Sequence, residues 1–439
     1  MAKAAPEHSQ SVVKFLLAAR EAETRSLAQL TDTCHVIQAI GDMIHDLQRE
    51  RGLTNVYLAS GGERLMQQKR AEQLALSMTT EQRLRALFTD EASPVLAQPL
   101  SARLLNAIAY ILQGLTELAY LRQLIEQGGI DATLMTQAFS SLIAGLLEVV
   151  NEAADSSGDP AVSRALVAMI NFMHGKEYAG QERAWGAIGF ARGHFDEPLR
   201  LRLEHMQSAQ EQSCGLFEQF AEPEAVAQWQ QLAHSDFAPE LIRLRGVIAA
   251  LGDGDQVASE LSEIWYSVAT ARIDAMHGIE VQIINDVVRL SQQRLMTAQS
   301  DYQQQVQAVE ALTSAAQPLK KNQLDSLMLL HNNRDSVSPK DGRLAGDSGA
   351  SASLRSIYDL IREQDEHLSQ VKAELDEAKR ALAERKLIEQ AKGLLMKSLK
   401  LSEEQAYRRI QQRAMESNTR LAEVAQLLID TARSVGRTR

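Results

Sequence analysis

The chain has 439 residues, a net charge of −11 and a composition rich in alanine, leucine, glutamine, glutamate and arginine, which favours helix over sheet. Its two cysteines lie far apart, which excludes a disulfide framework and fits a reducing compartment. No basic segment leads into an apolar one near the first residues, and no window nears eighteen uninterrupted apolar residues. We therefore expect a cytoplasmic all-α protein with no membrane partner.

The first part of the chain, residues 1 to about 330, contains about eight amphipathic segments with helical spacing. Short polar stretches rich in glycine, aspartate and proline separate them. A chain of this length exceeds one core, so we expect more than one domain. Short connections between long helices are typical of antiparallel bundles. The pattern predicts either two four-helix bundles or one elongated pair.

One of these helices carries an arginine where an apolar residue is expected. Ile37, Ile40, Ile44 and Leu47 are spaced three and four apart, and the next member of this series is Arg51. A guanidinium buried without a partner is costly, so this arginine needs a carboxylate from across the bundle or a bound anion. Arginine suits a planar oxyanion because its fork donates two parallel hydrogen bonds.

Two later helices repeat this pattern. Arg183 lies within the small-residue stretch 179–190, next to Glu182, and Arg272 interrupts the apolar stripe of a third helix. Residues one or two positions away cannot neutralise these arginines, because such neighbours do not face one another on a helix. We therefore hypothesise an anion site at which Arg51 joins these two arginines. Salt bridges across the bundle are the alternative.

The character of the sequence changes near residue 331. Residues 331–353 contain little to bury and many chain-softening residues, which predicts a flexible linker. In the segment that follows, mostly apolar residues recur at strictly alternating intervals of three and four, which predicts a coiled-coil helix over 354–380. Its seam consists of Leu354, Ile357, Ile361, Gln364, Leu368, Val371, Leu375, Ala378 and Leu382. The coiled coil predicts a homodimer, with a single helix lying on a domain as the alternative.

The last segment, 381–439, predicts three short helices and a nucleic-acid-binding surface. It holds 12 lysines and arginines against 7 acidic residues, which leaves −16 for the other 380 residues. Lys392 beside a glycine suits a phosphate, and Tyr407 offers a ring for stacking on an unpaired base. Packing of Tyr407 in the segment's own core is the alternative. A cationic ridge for phosphates or guanine edges follows: Arg408, Arg409 and Arg413.

This last segment resembles an ANTAR domain, a three-helix RNA-binding module of bacterial antiterminators. The residues that carry the resemblance are Ala381-Leu382, Arg385, Ile388-Glu389, Ala391-Lys392-Gly393, Leu395-Met396, Ser402-Glu403, Ala406-Tyr407, Ala414-Met415 and Val424-Ala425. The resemblance implies an RNA-binding domain over 381–439 that recognises a leader RNA with paired stem-loops and hexanucleotide loops.

The body resembles a nitrate- and nitrite-sensing (NIT) domain over residues 35–285, which we extend to 1–330. The residues that carry the resemblance are Gln48, Glu50-Arg51-Gly52, Gly180, Glu182-Arg183-Ala184, Trp265 and Arg272-Ile273-Asp274. It implies two side-by-side four-helix bundles with nitrate or nitrite held between helices by arginines. The arginines of this site are then Arg51, Arg183 and Arg272, with Arg49 retained as an alternative to Arg51.

Together the two resemblances imply a nitrate- or nitrite-responsive regulator of transcription antitermination. Anion binding to the body would free the last segment to bind a two-hairpin leader RNA and prevent the terminator, which affects the elongating RNA polymerase indirectly. No glycine-rich phosphate loop, nucleophile elbow or zinc spacing occurs, so we expect no enzyme, no cofactor and no metal. The alternatives are a helical scaffold protein without a ligand and a sensor with a DNA target.

Overall fold

The structure is a computed structural model that describes residues 4–59, 64–90, 100–155, 157–252, 254–315 and 349–436. Within these ranges the regular elements are helices and no strand forms, which confirms the all-α class. The helices of the first part are α1 (Ala4–Ala59), α2 (Arg64–Thr89), α3 (Ala102–Glu126), α4 (Ala132–Asp155), α5 (Pro160–Arg192) and α6 (Glu197–Phe220). The later ones are α7 (Pro223–Gln231, continued by a 3₁₀ turn at Leu232–His234), α8 (Ala238–Ala250), α9 (Leu261–Ala315), α10 (Gly349–Leu399), α11 (Glu403–Ser417) and α12 (Leu421–Gly436).

Helix α5 is bounded by strong local signals and is followed at once by α6. Asp159 caps its start by accepting a hydrogen bond from the backbone N–H of Val162 at 2.9 Å, ahead of Pro160 at the first helical position. Gly193 ends it in the left-handed conformation, with φ of 74°. Asp196 then caps α6. The short turn folds α5 and α6 into an antiparallel pair that packs along its length.

The described helices form two bundles that share an interface. Helices α5, α6, α8 and α9 enclose an aromatic-rich core that includes Trp185, Phe190 and Trp265. Helices α1 to α4 form the other bundle, in which Arg122 of α3 joins Glu50 of α1 to Glu81 of α2. Helices α4 and α5 are in contact, so the bundles lie side by side. This confirms the predicted two-bundle architecture.

Two helices of the α1–α4 bundle are apolar and long enough to cross a membrane by length and composition. The most apolar windows of α3 and α4 have mean hydropathies of 1.3 and 1.4, and 28% and 50% of those windows are buried inside the fold. A core helix of a globular protein passes the same test. Since both pack within the bundle, we interpret them as bundle helices.

The described residues group into two compact units. One comprises 4–28, 293–315 and 349–373, and the other comprises 29–292 and 374–436, apart from gaps in the described ranges. We call 29–292 the helical body and 374–436 the C-terminal module. Both belong to the same unit.

The predicted linker and coiled coil fall partly outside the described residues. Residues 316–348 lie outside the described part of the chain, and the side chains of the seam are described only from Leu368 onward. Helix α10 then runs unbroken through the predicted boundary at 381. Leu368 is 48% exposed, whereas Ala378 and Leu382 are buried within this chain. Pairing of two chains through the seam stays a prediction.

The C-terminal module is the predicted set of three helices. The end of α10 packs with α11 and α12 around a small apolar core that includes Ala391, Ile410 and Ala425. Ser402 caps α11 in a reciprocal capping box with Gln405.

Candidate functional site

Arg51 is fully buried and is held by a carboxylate. Its Nη1 donates to Glu177 Oε1 at 2.6 Å, and its Nη2 donates to Glu177 Oε2 at 3.2 Å. Nη1 also donates to the hydroxyl of Ser140 on α4 at 2.8 Å. The inward direction predicted for Arg51 is therefore confirmed. Its partner is the cross-bundle carboxylate that the sequence left as the alternative to an anion.

Glu177 receives more donors than Arg51 alone provides. The side-chain amide of Gln48 donates to Oε2 at 2.8 Å, and that of Gln181 donates to Oε1 at 2.9 Å. Glu177 is 3% exposed. A buried carboxylate is stable only when its oxygens are hydrogen-bonded and its charge is paired, and these contacts meet both conditions.

Arg183 lies next to this cluster and has uncharged acceptors. Nη1 donates to the hydroxyl of Thr270 at 3.1 Å, and Nη2 donates to the backbone carbonyl of Gln48 at 3.0 Å. Its Nε has no hydrogen-bond partner, and its guanidinium lies 5.2 Å from the ring centre of Tyr266. Burial lowers the pKa of Arg183, and the positive charge of Arg51 lowers it further. Within the described part of the chain, no carboxylate lies within ion-pair distance of this group.

Two glycines allow these arginines to approach the helix backbones. A Cβ atom on Gly52 of α1 would lie 2.4 Å from Nη2 of Arg183, and one on Gly180 of α5 would lie 2.7 Å from Nη2 of Arg51. Each of the two helices thus supplies one arginine, together with a glycine that leaves space for the arginine of the other helix. We call Arg51 and Arg183 the arginine pair.

The structure does not bring the other two predicted arginines into these contacts. Arg272 on α9 donates to the side-chain carbonyl of Gln210 at 2.6 Å and lies 3.8 Å from Glu182. Glu182 is held at two points by Arg245. Burial lowers the pKa of Arg272, and the charge of Arg245 lowers it further. Arg49 is exposed. Two of the three arginines therefore lie in adjoining contacts, and convergence of all three on one anion stays a prediction.

A second buried polar cluster adjoins the arginine pair along α1, α5 and α9. The rings of His45 and His277 stack with centres 3.4 Å apart, and His277 Nδ1 lies 3.1 Å from Glu280. Lys176, next to Glu177 in the chain, pairs with Glu280. Burial lowers the pKa of His45 to about 2, so its ring is neutral. No metal-binding group of three or more histidine, cysteine or acidic side chains occurs among the residues that the structure describes.

Sequence reasoning missed Glu177, Thr270 and Tyr266 as neighbours of the arginine pair. A signal was present for Glu177, because Lys176-Glu177 places two charges in a helix that is buried on nearly every side. Charged residues at such positions need partners. Thr270 and Tyr266 give no comparable signal, since hydroxyl-bearing residues are ordinary on a helix that borders solvent.

In the C-terminal module, two predicted RNA-contacting residues face the helical body. The hydroxyl of Tyr407 donates to Gln212 Oε1 of α6 at 2.7 Å, and its ring centre lies 4.9 Å from that of His205. Arg408 donates to Glu204 of α6 at 2.5 Å. Tyr407 is 8% exposed, and it packs against the body rather than in the module's own core.

The remaining predicted RNA-contacting residues lie in different surroundings. Lys392 is 3% exposed and donates to Glu389 at 3.0 Å and to Glu403 at 2.7 Å. Burial opposes its charge, but these two carboxylates outweigh that effect and hold its pKa well above the usual value. Arg409 and Arg413 are exposed. Part of the predicted RNA surface is thus covered and part is accessible.

Further polar contacts fasten the C-terminal module to the body. Lys386 donates to Glu152 at 3.0 Å and to Asp155 at 2.8 Å, both near the end of α4. Arg202 of α6 donates to Glu404 at 2.7 Å. A cavity of about 630 Å³ lies between α6 and the module. We call these ion pairs, together with the contacts of Tyr407 and Arg408 with α6, the docking interface.

Comparison with known proteins connects these two regions with known families. The family model described as nitrate and nitrite sensing matches residues 42–288, and the ANTAR domain model matches residues 376–429. The first range contains the arginine pair, and the second contains Lys392 and the α11 arginines.

Two comparisons that cover nearly the whole chain give the same picture. The chain is 30% identical over 423 residues to the curated nitrate regulatory protein of Klebsiella oxytoca, with 96% of each chain covered. A solved structure, that of the NasR transcription antiterminator, matches with a TM-score of 0.57 and 30% identity, covering 97% of this chain and all of that one.

Proposed function

Since the chain belongs to the nitrate- and nitrite-sensing (NIT) family and also carries an ANTAR domain, it is a nitrate-responsive regulator of transcription antitermination, and we propose that the anion releases its RNA-binding module. The observation that carries the proposal is the contact of Tyr407 and Arg408 with α6. A ring that packs on His205 cannot stack on a base at the same time. Docking and RNA binding are therefore alternatives for this surface.

Charge supports the docked arrangement. The first 380 residues carry −16, and the last segment carries the basic excess. The described ion pairs across the docking interface run in both directions, since Lys386 and Arg408 are basic residues of the module and Arg202 is a basic residue of the body. Exchange of the Arg408–Glu204 pair for a contact to an RNA phosphate leaves this arginine satisfied in both states.

The arginine pair supplies the chemistry for a small oxyanion. A guanidinium donates two parallel hydrogen bonds to a planar oxyanion, and nitrate and nitrite both present coplanar oxygens. Arg183 meets this need because its acceptors are uncharged and its Nε is unsatisfied. We assign nitrate or nitrite to Arg183, with Arg51 as the second donor. No catalytic step and no cofactor enters this proposal.

Helix α5 links the anion site to the docking interface. Arg183 faces α1 and α9, while the adjacent Glu182 accepts hydrogen bonds from Gln207 and Gln210 of α6. Helix α6 in turn holds Tyr407 through Gln212. A ligand shifts such an equilibrium only through its different affinity for the two states. We propose that nitrate binds more tightly when α5 and α6 adopt an arrangement that disfavours docking.

The released module binds a leader RNA with two hairpins, and this keeps the terminator from forming while RNA polymerase is affected indirectly. We place these events in the cytoplasm, with two chains paired through the α10 seam. Exposed Arg409 and Arg413 provide the first contacts to RNA phosphates in this scheme.

One experiment on the full chain tests the proposal. Calorimetry with sodium nitrate measures anion binding, and gel retardation of a synthetic RNA with two hexaloop hairpins measures RNA binding with and without nitrate. We expect tighter RNA binding in nitrate, and we expect Arg183→Gln to remove the nitrate effect to a greater extent than Arg272→Gln.

Absence of nitrate binding, or RNA retardation that ignores nitrate, would overturn this function. Absence of any retardation together with no thermal stabilisation by nitrate would favour a scaffold protein. Competition by duplex DNA at concentrations at which RNA competes would favour a DNA target.

A further inference from the structure

Glu177 occupies the face of Arg51 that an oxyanion would use. Both of its oxygens accept hydrogen bonds from the guanidinium, and the amides of Gln48 and Gln181 complete the set. The group is 3% exposed, and no water-filled gap is needed to satisfy it. A bound planar anion requires the same parallel N–H donors, and here the Glu177 carboxylate of the chain itself receives them.

We propose that Glu177 is a resident counter-anion that nitrate must displace from Arg51, so that this carboxylate sets the nitrate concentration at which the protein responds. The inference rests on the proposed function, because it assumes that nitrate binds at the arginine pair. Beyond that function, it identifies the Glu177 carboxylate as a group that competes with nitrate for Arg51. A purely structural salt bridge is the alternative role for the same contact.

The shape of the site supports an exchange of one anion for another. A carboxylate and a nitrate ion each present two coplanar oxygens, so either satisfies the same two N–H groups of Arg51. Gly180 brings the α5 backbone against this guanidinium, which leaves room only for a compact partner. Two anions cannot share the buried guanidinium side by side because like charges repel strongly at low dielectric.

The surrounding donors divide between groups that would stay and one that would move. Gln48 donates to Glu177 through its side chain and accepts from Arg183 through its backbone carbonyl. It therefore remains available to an anion placed between the two arginines. Gln181 lies one turn after Glu177 on α5 and moves with it. The displaced carboxylate keeps this one donor and loses its charge partner, which is the cost that nitrate binding must offset, and the two-point hold on Arg51 passes to the ligand.

Charge favours a monovalent ligand. Arg51, Arg183 and Glu177 together carry a formal charge of +1, and a monovalent anion brings this set to neutrality. A divalent anion would leave an excess negative charge in the interior, which is strongly disfavoured. The resident carboxylate thus supplies discrimination against sulfate as well as a threshold for nitrate.

The test uses Glu177→Gln in the full chain, with Glu50→Gln as the matched control. Glu50 is also fully buried and is held at two points by an arginine from another helix, Arg122, at 2.8 Å for each contact. Both substitutions remove a buried negative charge and keep side-chain size. Calorimetry with sodium nitrate is expected to give binding that is roughly tenfold tighter or more for Glu177→Gln. Glu50→Gln should leave nitrate affinity unchanged.

A second variant covers the case in which Glu177→Gln does not fold. Glu177→Ala opens space beside Arg51, and acetate should fill it as a substitute carboxylate. Acetate is then expected to weaken nitrate binding competitively in Glu177→Ala and to have no such effect on the wild-type chain. Melting curves establish that each variant is folded before titration.

Three outcomes would decide against the inference. Equal or weaker nitrate binding by folded Glu177→Gln would assign Glu177 a structural role alone, and so would a lack of competition by acetate in Glu177→Ala. A matching gain in Glu50→Gln would attribute the effect to general loosening. Failure of the wild-type chain to bind nitrate would instead overturn the proposed function, and this inference with it.

Discussion

Replacing Lys386 by methionine tests whether the docking interface restrains the RNA-binding module. Lys386 lies on α10 and donates to Glu152 and Asp155 of the helical body. It is not among the residues predicted to contact RNA, so its loss should weaken docking without weakening RNA binding. Methionine preserves the apolar stem of the side chain and removes only the charged donor.

The structure allows the size of this effect to be estimated. The side chains of Lys386 and Glu152 are each 10% exposed, whereas that of Asp155 is 35% exposed and its contact is weakened by solvent. A hydrogen bond to a charged group contributes about 1.5–3 kcal/mol. A loss of about 2 kcal/mol corresponds to about a thirtyfold shift towards the undocked state. Where the docked state predominates, the apparent RNA affinity rises by the same factor, because this affinity is proportional to the fraction of chains whose module is undocked.

Gel retardation with the two-hairpin RNA, in the presence and absence of nitrate, measures this prediction on the full chain. We expect Lys386→Met to bind RNA tightly without nitrate and to show a smaller response when nitrate is added. Lys397→Met is the control, since Lys397 is an exposed lysine on the same helix. If Lys386→Met keeps the wild-type RNA affinity and the wild-type nitrate response, docking does not limit RNA binding and the reasoning fails.

Three further predictions address the two sites. Gly52→Ala places a Cβ atom 2.4 Å from Arg183 Nη2, so we expect a loss of about 1–3 kcal/mol of stability in thermal unfolding and a lost nitrate response in calorimetry. Tyr407→Phe removes the hydrogen bond to Gln212 and keeps the ring, so RNA retardation without nitrate should strengthen by about fivefold, corresponding to about 1 kcal/mol. Burial in the docked state lowers the pKa of His205 below its ordinary value of 6.5, so the undocked state binds a proton more readily. Retardation without nitrate should therefore increase as the pH falls from 7.5 through about 6.5, and His205→Gln should lose this dependence.

The burial of Arg51 could be predicted from the sequence, but its partner could not. Regular apolar spacing before Arg51 defines the inner face of α1, and the structure confirms that direction. Glu177 lies 126 positions away in sequence, on a helix buried on nearly every side. Such a helix has no single apolar stripe, so periodicity does not tell which face meets α1.

The convergence of three arginines on one anion stays a prediction, and the contacts of Arg272 could not be predicted from the sequence for a related reason. An interrupted apolar stripe shows that a residue lies deep in the fold, but it does not identify the neighbouring helix. Glu182 and Arg183 are consecutive and therefore point about 100° apart on α5. Arg183 meets α1 and α9, whereas Glu182 meets α6, and Arg272 joins the contacts of Glu182.

Tyr407 makes a long-range contact that the sequence around it does not predict. The sequence left this side chain either in the module's own core or on an RNA base. The structure places its ring against His205 and its hydroxyl on Gln212, both of α6. Neither residue lies near Tyr407 in the chain, and the contact depends on how the module packs on the body. Local pattern therefore predicted the module's three helices but not the surface that they cover.

The composition of the docking interface suits a reversible switch. To move an equilibrium from 1:99 to 99:1, a ligand must favour one state by about 5.5 kcal/mol, so nitrate can release only a module whose docking is of comparable or smaller strength. The Arg408–Glu204 pair is exposed on both sides, at 42% and 68%, and such pairs contribute little. The contacts of Lys386 and Tyr407 contribute more, but water can replace each of them on release. An extensive apolar interface would hold the module too tightly for one small anion to displace. The polar contacts of the module with α4 and α6, the two helices on either side of α5 in the chain, are each small enough for nitrate binding to offset.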